Sequence, residues 1–117
     1  MSVESRIVAA LKPMGYPVEN AVYHGDAKKY YTFLDNTIGT DYADDAPNHE
    51  KHLVSVHFFA PLSGNISADI KATKRALFAA GFTWPEVINA SDDTGRHFVF
   101  ECEDVEGVDV DGDDGFI

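Results

Sequence analysis

Histidine, aspartate and cysteine are the side chains here that could do chemistry, and their spacing decides which chemistry is open to them. His49 and His52 bracket Glu50 and Lys51. Zinc-protease chemistry sets two histidines four apart on a helix so that both imidazoles face one ion. These stand three apart, at the entrance of an alternating stretch. Asp109, Asp111, Asp113 and Asp114 space their carboxylates as a calcium loop does, but Gly112 stands at the fourth place rather than the sixth. No glutamate follows at the twelfth. Asp44 with Asp45, and Asp92 with Asp93, offer paired carboxylates for acid-base work, yet neighbours in a loop do not face a common substrate. Turn formation accounts for them. His24, His57 and His97 stand singly, in a turn or on the polar side of strands. Cys102 alternates with Phe98 and Phe100, the position of a small packing residue. No serine elbow, phosphate loop, dinucleotide fingerprint or zinc ribbon is present. The expectation is no catalytic, cofactor or metal site, and a protein that is not an enzyme.

Length and charge narrow the class. The 117 residues fit one domain, expected over 1–103 and followed by an acidic, mobile tail over 104–117. From Glu101 onward there are eight acidic residues and no basic one, against twelve acidic and nine basic before it, so the net charge of -11 lies mostly at the C-terminal end. Such a chain repels phosphate, which disfavours a specific grip on nucleic acid. The single cysteine suits folding inside the cell. The opening residues form no basic leader and the apolar run 7–11 is too short for a span, so no membrane contact is expected.

The elements that must position any site follow from periodicity. Val3, Ile7, Ala10, Leu11 and Met14 share one face of a helix capped by Ser2 and ended by Pro13 and Gly15. Residues 18–23 read as a first strand before a turn at His24, Gly25 and Asp26. Residues 30–37 read as a second strand, with Tyr31, Phe33 and Asp35 on one face and Tyr30, Thr32 and Leu34 on the other. An acidic loop over 41–47 leads to a third strand, 51–59, where Val54, Val56 and Phe58 alternate with Ser55 and His57. A second helix carries Ile66, Ile70, Thr73, Leu77 and Ala80 on one side and ends at Gly81. Residues 84–89 and 96–103 are two strands joined by a hairpin connection at 91–95. The fold class is α+β: an antiparallel sheet of about four to five strands with two helices packed on one face.

With helices on one face only, the outward set Tyr30, Leu34, Leu53, Phe59 and Val99 leaves an apolar patch of the kind that marks protein contacts. Asp41, Asp44 and Asp45 cluster before Pro47 in an acidic loop that either binds something or stays solvated. Tyr30, Leu53 and Phe59 belong to the predicted partner interface.

Laid out in this order, the chain resembles the tail-completion, or tail-terminator, proteins of tailed bacteriophages and prophages across most of 3–103. The resemblance is carried by Tyr31-Thr32-Phe33, by Asp41-Tyr42-Ala43-Asp44-Asp45-Ala46-Pro47, by Phe58-Phe59, by Ala80-Gly81-Phe82 and by Asp93-Thr94-Gly95-Arg96-His97. It implies a virion structural protein assembled in the bacterial cytoplasm: a homo-oligomer, typically a hexameric ring, that caps the tail tube and joins it to the head-completion protein. On that resemblance Asp41, Tyr42, Asp44, Asp45 and Pro47 form a candidate docking loop and join the partner interface. DNA would pass through the ring, where negative charge suits a wall that must not hold the genome. Another head-tail joining or tail tube protein is the alternative. A small metal-dependent enzyme or ligand-binding domain built on the acidic loop stands behind both.

Overall fold

Ser2 opens the first helix as its type dictates: its hydroxyl accepts a hydrogen bond from the Ser5 amide at 3.1 Å. In the computed structural model, which describes residues 2–43 and 46–107, helix α1 spans Val3–Leu11. Side chains are described over 2–38 and 51–104. A 3₁₀ turn and Gly15 in the left-handed conformation end α1. Strands β1 (Val18–Asn20), β2 (Tyr30–Ala43) and β3 (Ala46–Ala60) follow, then helix α2 (Ser67–Ala79) and strands β4 (Glu86–Asn89) and β5 (Arg96–Gly107). The sheet order is β1-β2-β3-β5-β4. Val3, Ile7 and Leu11 of α1 and Ile66 and Leu77 beside and on α2 share one core with Tyr31, Phe33, Val54, Val56, Phe58, Phe100 and Cys102. Both helices therefore cover the same face.

The expected α+β architecture holds, with three differences. The sheet is antiparallel except for β1, which runs parallel to β2 with Val18 opposite Tyr31. β1 stops at Asn20 rather than at position 23, because Ala21 adopts φ 66° and turns the chain off the sheet. Tyr23 then lies over Gly25, where a Cβ would overlap its ring, and donation of the Ala27 amide to the Tyr23 hydroxyl at 2.9 Å fixes the excursion. β4 likewise begins at Glu86, so Trp84 lies outside it.

The second difference is the acidic loop. Asp41, Tyr42 and Pro47 lie within β2 and β3, whose pairing runs from Tyr30 opposite Phe59 to Ala43 opposite Ala46. Asp44 and Asp45 lie outside the described residues. Weak local strand propensity is overridden because β3 is held on its other side by β5 as far as His49 opposite Gly107. Pro47 falls beyond that last pair, where β3 has one neighbour and a missing N–H is tolerated. At a rise of ~3.3 Å per residue β2 extends ~45 Å, so the 14-residue strand makes a long hairpin arm with β3.

The third is the C-terminal boundary. β5 continues to Gly107 and Asp104 is buried, so the first part of the acidic end belongs to the sheet. Residues 108–117 lie outside the described residues. Asp104 accepts from Arg6 Nη1 at 2.9 Å and from Nη2 at 3.2 Å, while Arg6 Nε and Nη2 donate to the Ala80 carbonyl at 3.2 and 2.8 Å. Ala80 caps α2, Gly81 takes φ 102°, and the Phe82 amide reaches back to the Leu77 carbonyl at 3.3 Å. This is the glycine-terminated helix end expected at Ala80-Gly81-Phe82.

Candidate interaction face

The sheet register places the expected outward residues together on the face without helices. Tyr30 pairs with Phe59 and Phe59 with His97; Asn36 pairs with Leu53 and Leu53 with Glu103; His57 pairs with Val99 and Val99 with Ile88. Among the apolar side chains of this face, Leu34 is 44% exposed, Ile38 45% and Ile88 45%. Tyr30, Leu53, Phe59 and Val99 are half-buried. Of the predicted interface residues, Tyr30, Leu53 and Phe59 thus share one surface, while Asp41, Tyr42 and Pro47 belong to the hairpin arm and only their backbone is described.

A ladder of rings crosses this face at its hairpin-distal end. Tyr23 stacks on Tyr30 at 4.5 Å between centroids, Tyr30 on Phe59 at 4.8 Å, Phe59 on His97 at 4.3 Å, and His97 on His57 at 5.0 Å. Tyr30, Phe59 and His97 lie nearly parallel across neighbouring strands, so these rings use flat surface on one another, while Tyr23 meets Tyr30 at a tilt of 31°.

His57 Nδ1 and His97 Nε2 stand 2.8 Å apart. One ring must donate and the other accept, so the pair tolerates one bridging proton and not two charged rings. Burial, then the His97 charge, holds His57 below its ordinary value, against the opposing pull of Glu101. Burial holds His97 below its ordinary value too, with Asp92 opposing. These two histidines were expected to be ordinary and separate. Their meeting depends on the β3–β5 register, which no local motif announces.

The sign of the resulting pH effect follows. Because the folded values lie below the ordinary imidazole value of 6.5, the unfolded chain takes up protons first as pH falls. Stability contributed by the pair is complete above about 6.5 and declines as pH drops from there toward the folded values. Thermal melts from pH 8 to pH 5 should therefore show a loss on acidification that is shallower in His57→Gln/His97→Gln. Parallel pH profiles in the two proteins would refute this role.

The turn between β4 and β5 sets the lower rim. Asp92 accepts from the Thr94 amide at 2.9 Å and from its hydroxyl at 2.6 Å, and these bonds hold its carboxyl below the usual range. The Ser91 hydroxyl accepts from the His97 amide at 2.9 Å. Arg96 Nε donates to the Leu62 carbonyl at 3.1 Å. Between this turn and the start of β2 lies a groove of about 380 Å³ walled by Lys28, Tyr30, Phe59, Asp92, Arg96 and His97.

Of the other residues with chemical potential, His24 and Asp93 are exposed, while His52 and Cys102 are tied into the sheet. His52 Nδ1 lies 3.0 Å from Asp35 Oδ1, and burial raises the Cys102 thiol to about 12. Among the described residues, no three of His, Cys, Asp and Glu gather to hold a metal ion. None of their helices is long and apolar enough to cross a membrane. A comparison of the chain with protein-family models finds no match, and a comparison with curated proteins finds none either.

Proposed function

We propose that the chain is a virion structural protein, a tail terminator whose copies form a ring that caps a phage tail tube and joins it to the head connector. The helix-free face carries this reading: Leu34, Ile38 and Ile88 expose apolar surface there beside half-buried Leu53, Phe59 and Val99, interspersed with Ser55, Glu101 and Glu103. Exposed apolar side chains mixed with polar ones on an uncovered sheet face suit assembly contacts. The hairpin arm supports it by carrying Asp41, Tyr42 and Pro47, part of the family-like stretch, away from the helices. The family resemblance supplies the terminator role, the hexameric closure and the two partners, tail tube protein and head-completion protein. A net charge of -11 suits a channel through which DNA passes.

Sedimentation velocity and negative-stain microscopy of the purified chain, alone and with isolated tail tubes, test this. Closed rings, or particles seated at tube ends, are the expected result. Leu34→Asp with Ile88→Asp should abolish both while leaving the circular dichroism spectrum intact, because both positions are exposed. Phe78→Asp on the helical side serves as the control. A chain that stays monomeric at high concentration and ignores tube ends defeats the proposal, and growth into long tubes would instead assign a tube protein.

A further inference from the structure

The groove beside the aromatic ladder is lined by two cations that meet no carboxylate among the described residues. Lys28 makes no ion pair with any of them, and Arg96 uses its Nε on the Leu62 carbonyl. The remaining charge in the wall, Asp92, is held by Thr94 within its own turn. An Arg and a Lys lining one groove with Tyr30, Phe59 and His97 call for a ligand that is acidic and also offers apolar side chains.

The chain contains such a segment. Residues 108–117 carry Asp109, Asp111, Asp113 and Asp114, no basic residue, and then Phe116 and Ile117. We propose that this acidic segment of one copy docks in the Lys28–Arg96 groove of a neighbouring copy, so that successive protomers are linked head to tail. Distance and charge rule out its own groove. The groove adjoins Arg96, the first residue of β5, whereas the segment follows Gly107, the last, so the two are separated by the strand's length, ~36 Å at ~3.3 Å per residue. Asp114, the last carboxylate of the segment, stands seven residues beyond Gly107 and so reaches at most ~25 Å when fully extended. The segment would also have to turn back past Glu103 and Glu101 of its own strand, which repel it. In a neighbour's groove neither restriction applies, and a contact between two different surfaces repeated by every copy generates a ring when the rotation closes. This contact deepens the assembly reading and depends on that reading only for the closed ring.

Fluorescence anisotropy of a labelled synthetic peptide with the sequence of 108–117 tests it. The host is the full chain with Asp109, Asp111, Asp113 and Asp114 changed to Asn, which leaves its groove vacant. The peptide should bind, weaken roughly tenfold or more with Lys28→Glu/Arg96→Glu, and weaken likewise between 50 and 500 mM NaCl. The salt series uses the unaltered groove, so it decides the matter even where the double variant fails to fold. A peptide carrying Asn at the four positions should not bind. Absence of peptide binding, or binding indifferent to groove charge and to salt, overturns the contact. Because the titration reads single chains, it can fail while rings still form through the helix-free face, and it can succeed with Leu34→Asp/Ile88→Asp, where rings do not.

Discussion

Arg6→Ala should destabilise the fold by about 3–5 kcal/mol, the cost of removing one partner of a buried pair. The guanidinium makes two bonds to Asp104, two to the Ala80 carbonyl, and lies with its central carbon 4.4 Å from the centroid of the Phe82 ring. One side chain on α1 thus fastens the end of α2 and the far part of β5. Its removal leaves the Asp104 carboxylate, only 10% exposed, without its cation. It also uncovers the carbonyl that ends α2, beside Gly81, whose φ of 102° favours glycine and where a Cβ would lie 2.7 Å from Arg6 Nη2. Arg6→Lys should recover part of the loss, since an ammonium can meet Asp104 but cannot fork to Ala80 as well. Urea unfolding of the three proteins measures this, and a loss below about 1 kcal/mol in Arg6→Ala would show the cluster to be incidental, as exposed pairs are.

This cluster also shows where legibility in the sequence stops. Arg6 and Asp104 are 98 residues apart, and no spacing rule links them. Local features were readable because their causes are local. Ser2 before an apolar periodic run, Gly81 after Leu77, and the alternation of Val54, Val56 and Phe58 each signal a cap, a stop or a face by near-neighbour chemistry. The outward grouping of Tyr30, Leu34, Leu53, Phe59 and Val99 followed from the same alternation. What required the fold was register. The parallel direction of β1 is set by Ala21 turning away and by Tyr23 returning to stack on Tyr30. The His57–His97 pair exists because β3 and β5 are neighbours with Phe59 opposite His97. Positions 41–47 read as a loop because Asp, Ala and Pro are poor strand residues, whereas 41–43 and 46–47 belong to β2 and β3. Function is further removed again: the apolar face is a physical property of the sheet, whereas the proposal that it is a virion contact rests on the resemblance.

The adjacent phenylalanines Phe58 and Phe59 should separate stability from assembly. Phe58 points into the core, fully buried, with its ring 5.0 Å from Tyr31 and 5.9 Å from Tyr16. Phe58→Ala should cost about 3–5 kcal/mol, as deletion of a buried aromatic side chain does, which is a large part of a small domain's stability of roughly 5–15 kcal/mol. Phe59 points to the other face and sits in the middle of the ladder, between Tyr30 and His97. It is half-buried, so Phe59→Ala should cost less, about 2 kcal/mol, combining partial burial with two ring contacts. Yet it splits the ladder and removes one wall of the groove, so association should fall more steeply than stability does. For Phe58→Ala, any loss of association should follow the unfolded fraction. Melting temperature and sedimentation measured on both variants at one concentration decide the matter. Equal loss of association per unit of lost stability would mean that the helix-free face holds the sheet together and does not join copies.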